Sequence, residues 1–164
     1  LISEPFILFE LCRFEQDYKQ MNSKLLIIFL IFFVSIGFGQ SKIQWSSSFN
    51  QEQKAIEIQA TIADGWHLYS QHINNEIGPI PTSFLFTENS QIKLIGQVTE
   101  PLPIQKYDEN FEAMLDFFEE KVIFSQRVST KGSSTIKGSV TYMICNETMC
   151  LPPTEEFFSI EIKN

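Results

Sequence analysis

Apolar residues along most of this chain recur at every second position, and that period limits its fold more than any other feature. Ile56, Ile58, Ala60 and Ile62 alternate with Glu57, Gln59 and Thr61, the pattern of a strand with one face in a core and one in water. Asp64-Gly65 supplies a turn, after which residues 66–69 resume as a strand. Gly78-Pro79-Ile80-Pro81 reads as a loop, because neither proline donates to a ladder. Short strands are expected at residues 83–86, 92–97 and 122–128. A longer one follows, on which Ile136, Gly138, Val140, Tyr142 and Ile144 share a face, and Phe158, Ile160 and Ile162 mark the last. Many short strands spaced by roughly 8–12 residues, with no long helical stretch, predict an all-β antiparallel sandwich. One segment departs from the pattern. Phe111, Met114, Leu115 and Phe118 stand at helical spacing, which predicts either a helical turn covering a sheet edge or an ordered capping loop with hydrophobic teeth.

The N-terminal part reads differently. Met21-Asn22-Ser23-Lys24 precedes an apolar run over residues 25–38 with a small-residue exit at Gly37-Phe38-Gly39. That is the pattern of a secretory signal peptide, placed here at 21–40 and cleaved near Gly39 or Gln40. The run is shorter than the roughly 20 residues a spanning helix needs. No cysteine stands at the expected cleavage point, so lipid attachment there lacks its nucleophile. Residues 1–20 are expected to be upstream frame translated by mistake. Residues 41–164 then form one domain, long enough to bury a core. Sixteen Phe exclude a wholly disordered chain. A net charge of −8 leaves no basic face for phosphates and so excludes nucleic acid as a partner.

Removing the leader removes Cys12 and leaves Cys145 and Cys150 in an exported, oxidising setting. The stretch Cys145-Asn146-Glu147-Thr148-Met149-Cys150 separates two strand candidates, so a bond between the sulfurs would clamp a hairpin throat. Three readings stand. A structural disulfide is the plainest, although a loop this short is worth only about 2 kcal/mol in the chain-entropy model. A metal site would need further ligands. His67 and His72 are the only histidines, and their i, i+5 spacing sends them to opposite faces of a continuous strand. The third reading is thiol–disulfide exchange, for which Cys-x4-Cys is not specific; it is not the Cys-x-x-Cys of thioredoxin-like sites.

The surrounding residues resemble a family. Val140-Thr141-Tyr142-Met143-Ile144-Cys145 followed by Cys150-Leu151-Pro152-Pro153 is similar to the N-terminal periplasmic domain of DsbD-type thiol:disulfide interchange proteins. Asp64-Gly65-Trp66-His67-Leu68-Tyr69 resembles that family's Asp-Gly-x-x-Leu-Tyr strand, and Asp108-Glu109-Asn110-Phe111 falls where the family carries a capping loop. The resemblance implies an immunoglobulin-like sandwich with the cysteines on a hairpin at one end, exchanging electrons with visiting proteins and needing no cofactor. It implies that Cys150 forms the mixed disulfide, that Cys145 resolves it, and that Phe111 caps the pair. Asp108, Glu109, Tyr69 and His67 would line the site, with His67 where the family commonly has another tyrosine. An imidazole near a sulfur favours thiolate, whereas carboxylates near one hold it protonated; an ordinary solvated strand histidine, and ordinary solvated acids at 108 and 109, are the plain alternatives. Two departures accompany the likeness. Four residues stand between the cysteines where better-known members have five, and no electron conduit follows Asn164. The implied donor, a thioredoxin-like domain or membrane conduit, is therefore expected in trans or in a longer protein of which this is a piece. The implied acceptors are exported disulfide-containing proteins. A secreted immunoglobulin-like binding module with a structural clamp is the alternative from another class.

Overall fold

The computed structural model describes residues 41–73 and 78–163. The leader at 21–40, the segment 1–20 and Cys12 lie outside the described residues. The described residues contain strands and no helix: β1 (Ile43–Asn50), β2 (Ala55–Ile62), β3 (His67–Tyr69), β4 (Ser83–Thr87), β5 (Ile92–Thr99), β6 (Ile104–Asp108), β7 (Ala113–Phe118), β8 (Lys121–Thr130), β9 (Ser134–Tyr142), β10 (Ile144–Cys145) and β11 (Thr154–Ile162). They pair antiparallel in three sheets, ordered β1-β2-β8-β5, β10-β3-β7-β6 and β11-β9-β4.

The period-two pattern becomes the core. Ile56, Ile58, Ala60 and Ile62 of β2 are buried beside Val122, Phe124 and Val128 of β8. Across the sandwich, Ile136 of β9 with Ile160 and Ile162 of β11 close one cluster over β2. Leu68, Phe118, Tyr142 and Ile144 join Ile43, Ala60, Ile62 and Phe124 in the other. Each such side chain contributes about 1.5–3 kcal/mol on burial, so the disulfide amounts to about one core residue in stability. This core, not the bridge, holds the fold.

Gly138 has a specific reason to be glycine. It lies in register between Phe86 of β4 and Phe158 of β11, whose rings pack 5.5 Å apart. A Cβ there would run into the Leu85 carbonyl oxygen and the Phe158 ring.

Two expectations need correction. The segment from Asp108 to Phe118 holds no helical turn: β6 and β7 form a hairpin, with Glu112 at a positive φ of 52° in its turn. Its apolar spacing arises because β7 feeds two clusters, Leu115 and Phe117 on one face and Phe118 on the other. The strand read through Ile144 is broken at Met143, where the chain leaves the β11-β9-β4 sheet and pairs with β3 instead. β1 also went unread, since Ser46-Ser47-Ser48 blurs its alternation.

Candidate functional site

The switch of sheets at Met143 decides where the cysteines go. Ile144 pairs with Leu68 and faces the core, so its neighbour Cys145, paired with His67, faces the opposite side of the sheet. Residues 146–149 turn back, with the Asn146 N–H donating to the Met149 carbonyl at 2.9 Å and the Leu151 N–H to the Ile144 carbonyl at 2.9 Å. The Asn146 side-chain oxygen accepts the N–H groups of Thr148 and Met149 at 2.9 and 2.8 Å, an Asx turn that fixes the tip. Cys150 returns opposite Cys145 and is disulfide-bonded to it, with Cα atoms 4.0 Å apart. Pro152-Pro153 follows, and β11 begins only at Thr154. The two sulfur-bearing residues are unequal: Cys145 is fully buried, whereas Cys150 is partly exposed beside the exposed Met149.

Around Cys145 lies a satellite cluster of Tyr69, Leu115 and Phe117, with Phe111, Met143 and Cys150 packed against it. Phe111 meets Tyr69 edge to face at 6.0 Å. Phe111 therefore belongs to the apolar wall that surrounds Cys145. Asp108 holds that arrangement. One of its oxygens accepts the N–H groups of Asn110 and Phe111 at 2.8 and 3.3 Å. The other accepts the Tyr69 hydroxyl at 2.6 Å and lies 3.2 Å from His67 Nε2. Asn110 then donates from its side chain to the Asn146 carbonyl at 2.8 Å, tying the β6–β7 turn to the cysteine hairpin.

These contacts set the charges. Burial, the largest influence on Asp108, pushes its carboxyl up. The Tyr69 and Asn110 hydrogen bonds, the His67 ring and the Phe111 N–H together outweigh it and hold the carboxyl below its ordinary value. Burial lowers His67, against the pull of Asp108. Burial raises Tyr69 far beyond its ordinary range, and Asp108 adds to this. At neutral pH the trio is carboxylate, neutral imidazole and phenol.

His67 is not a solvated strand histidine here. Its side chain is only 13% exposed, and its ring stacks on Phe117 at 4.5 Å. Among the described residues no group of three or more His, Cys, Asp or Glu side chains converges as a metal site. The plain expectation that Asp108 and Glu109 are both solvated fails for the first, 4% exposed, and holds for the second. Glu109, Glu119, Glu147, Lys106 and His67 line an open groove of about 740 Å³ beside the hairpin. Asn110, Asn146 and Phe117 were missed in the sequence. Asn146 carries a local signal, an Asn opening a short loop, but the Asn110–Asn146 contact spans 36 residues and leaves none.

A family model for the N-terminal part of the thiol:disulfide interchange protein DsbD matches residues 39–162. The chain belongs to the DsbD N-terminal domain family. Its Cys145–Cys150 pair stands at disulfide distance, as thiol–disulfide exchange requires. Among solved structures, the DsbD N-terminal domain of Neisseria meningitidis in its reduced form is similar at 17% identity and a TM-score of 0.57, over 79% of this chain and 93% of that one. The complex between the DsbD N-terminal and PilB N-terminal domains of Neisseria meningitidis aligns at 15% identity and a TM-score of 0.55, over 76% and 86%. The N-terminal periplasmic domain of ScsB from Proteus mirabilis aligns at 14% identity and a TM-score of 0.49, over 71% and 44%. No curated protein matches the sequence. The family's immunoglobulin-like, all-antiparallel sandwich is the fold described above.

Proposed function

We propose that the chain is an exported exchange domain that relays reducing equivalents from a thioredoxin-like donor, or a membrane conduit acting in trans, to oxidised proteins outside the cytoplasm. The observation that carries this reading is the inequality of the two cysteines under a hydrogen-bonded cap: one half-exposed, one buried, five residues apart. With the pair reduced, the Cys150 thiolate attacks a partner disulfide and expels one partner thiolate. Cys145 then attacks Cys150 Sγ, expels the second and closes the intradomain bond. Two electrons and two protons leave with the partner. Reverse exchange with a reduced donor resets the domain, and no bound cofactor is needed because the electrons travel as sulfur–sulfur bonds.

Phe111 and the β6–β7 turn act as the cap that a docking partner displaces, and Asp108, Tyr69, His67 and Glu109 surround the reacting sulfurs. The solved complex of a related domain with the PilB N-terminal domain supports a protein partner. The signal-peptide pattern at 21–40 supports a periplasmic or secreted location, with 41–164 as the working domain. A purely structural clamp is the poorer reading, since a loop this short stabilises by about 2 kcal/mol only in a fold with an extensive core of its own. The test uses thioredoxin as a defined partner. The reduced Cys145→Ser variant should form a one-to-one mixed disulfide with oxidised thioredoxin through Cys150, while Cys150→Ser should form none. Absence of the adduct, together with no electron transfer between wild type and thioredoxin in either direction, would reject the reading.

A further inference from the structure

We propose that His67 is the proton acceptor for the buried thiol of Cys145, so that the step closing the intradomain bond is base-assisted. This rests on the exchange reading and concerns only its second step. Cys145 is fully buried and cannot shed its proton directly to water, yet only the thiolate attacks. Burial in an apolar wall of Tyr69, Leu115 and Phe117 disfavours that thiolate further. A thiolate at neutral pH therefore needs a neighbouring base.

His67 is placed to be that base. It is the cross-strand partner of Cys145, and directly opposed residues of an antiparallel pair project to the same face with Cβ atoms about 4.5–5.5 Å apart. Its Nε2 is engaged by Asp108 at 3.2 Å and Tyr69 at 3.1 Å. The carboxylate only accepts, so it fixes the proton on Nε2 and leaves the Nδ1 lone pair as the acceptor. Carboxylate, imidazole and thiol then form the order in which a third group orients a base for a nucleophile. The ring also lines the groove beside the hairpin, a route by which the accepted proton reaches solvent. Groups facing the imidazole are Asp108 and Lys106 from β6, Tyr69 from its own strand, Glu119 after β7, and Cys145 across the strand pair. Burial keeps the ring neutral at pH 7. In the step itself the Cys145 proton passes to Nδ1 and the Cys145 sulfur bonds Cys150 Sγ. The bond from Cys150 to the partner breaks, and the partner leaves as thiolate. The imidazolium then releases its proton to the leaving sulfur or the groove.

A single-turnover experiment isolates this step. The full chain with Cys12→Ser, reduced, is mixed with the aromatic disulfide dithiobis(nitrobenzoate); the first nitrothiobenzoate reports attack by Cys150 and the second reports closure by Cys145. The closure rate of wild type should rise through an inflection below pH 6.5, the ordinary histidine value, and level off near neutrality. In His67→Gln that inflection should vanish, and closure at pH 7, normalised to the first release in the same protein, should slow by about tenfold or more. Superimposable closure profiles in the two proteins would overturn the proposal. Failure of wild type to release any second equivalent would instead overturn the exchange reading beneath it. Should the variant not fold, NMR titration of His67 in wild type still decides: reduced and oxidised proteins should give different curves, and identical curves would overturn it.

Discussion

Asp108 divides its two carboxylate oxygens between the backbone of the β6–β7 turn and the Tyr69–His67 pair. An amide at this position would present a second donor to groups that already donate. Asp108→Asn should therefore cost about 1–3 kcal/mol, measured as a lower urea midpoint with an unchanged slope. The pH dependence follows from the same contacts. His67 is held below 6.5, so the unfolded chain binds its proton first, and stability should fall as pH drops through 6.5 toward the lower folded value. Asp108 is held below 3.8, so a second loss should follow as pH falls below that. Melting temperature against pH checks both: His67→Gln should remove the upper step and leave the lower. Neither effect was legible in the sequence, where Asp108-Glu109 looks like a solvated acidic pair; only the pairing of β7 with both β3 and β6 buries the first and leaves the second wet.

The β6–β7 hairpin and the cysteine hairpin are separate elements joined by the Asn110–Asn146 hydrogen bond and by the packing of Phe111, Leu115 and Phe117 around Cys145. Phe111→Ala should thus speed reduction of the bridge by dithiothreitol at least severalfold while changing stability little, because the ring is only partly buried. A rate equal to wild type would remove the cap from the account. In the β11-β9-β4 sheet the constraint is tighter. Gly138→Ala should cost about 1–3 kcal/mol or more by overpacking, read from chemical denaturation, since backbone and an aromatic ring leave no room. The place of Gly138 among inward-facing residues could be read from the alternating pattern. The cap hairpin could not: Phe117 and Phe118 face opposite ways into two clusters, so their alternation vanishes and a helical spacing takes its place. The cysteine hairpin was legible because its signals are local, namely two cysteines and a proline pair.

At the scale of the molecule, one face of the β10-β3-β7-β6 sheet completes the core and the other carries the disulfide with Phe111 packed beside it. That division lets the bridge open without dismantling the sandwich. The reduced chain should keep its fold and lose only about 2 kcal/mol relative to the oxidised one, a difference checked by denaturing both forms in parallel. Sulfur chemistry at the tip of a rigid sandwich is the central claim, and equilibrium against graded glutathione and thioredoxin buffers tests it most directly. The account predicts a reduction potential for Cys145–Cys150 between about −270 and about −180 mV, where thioredoxin-like proteins exchange electrons. A potential below about −300 mV, the range of inert structural bridges, would contradict it.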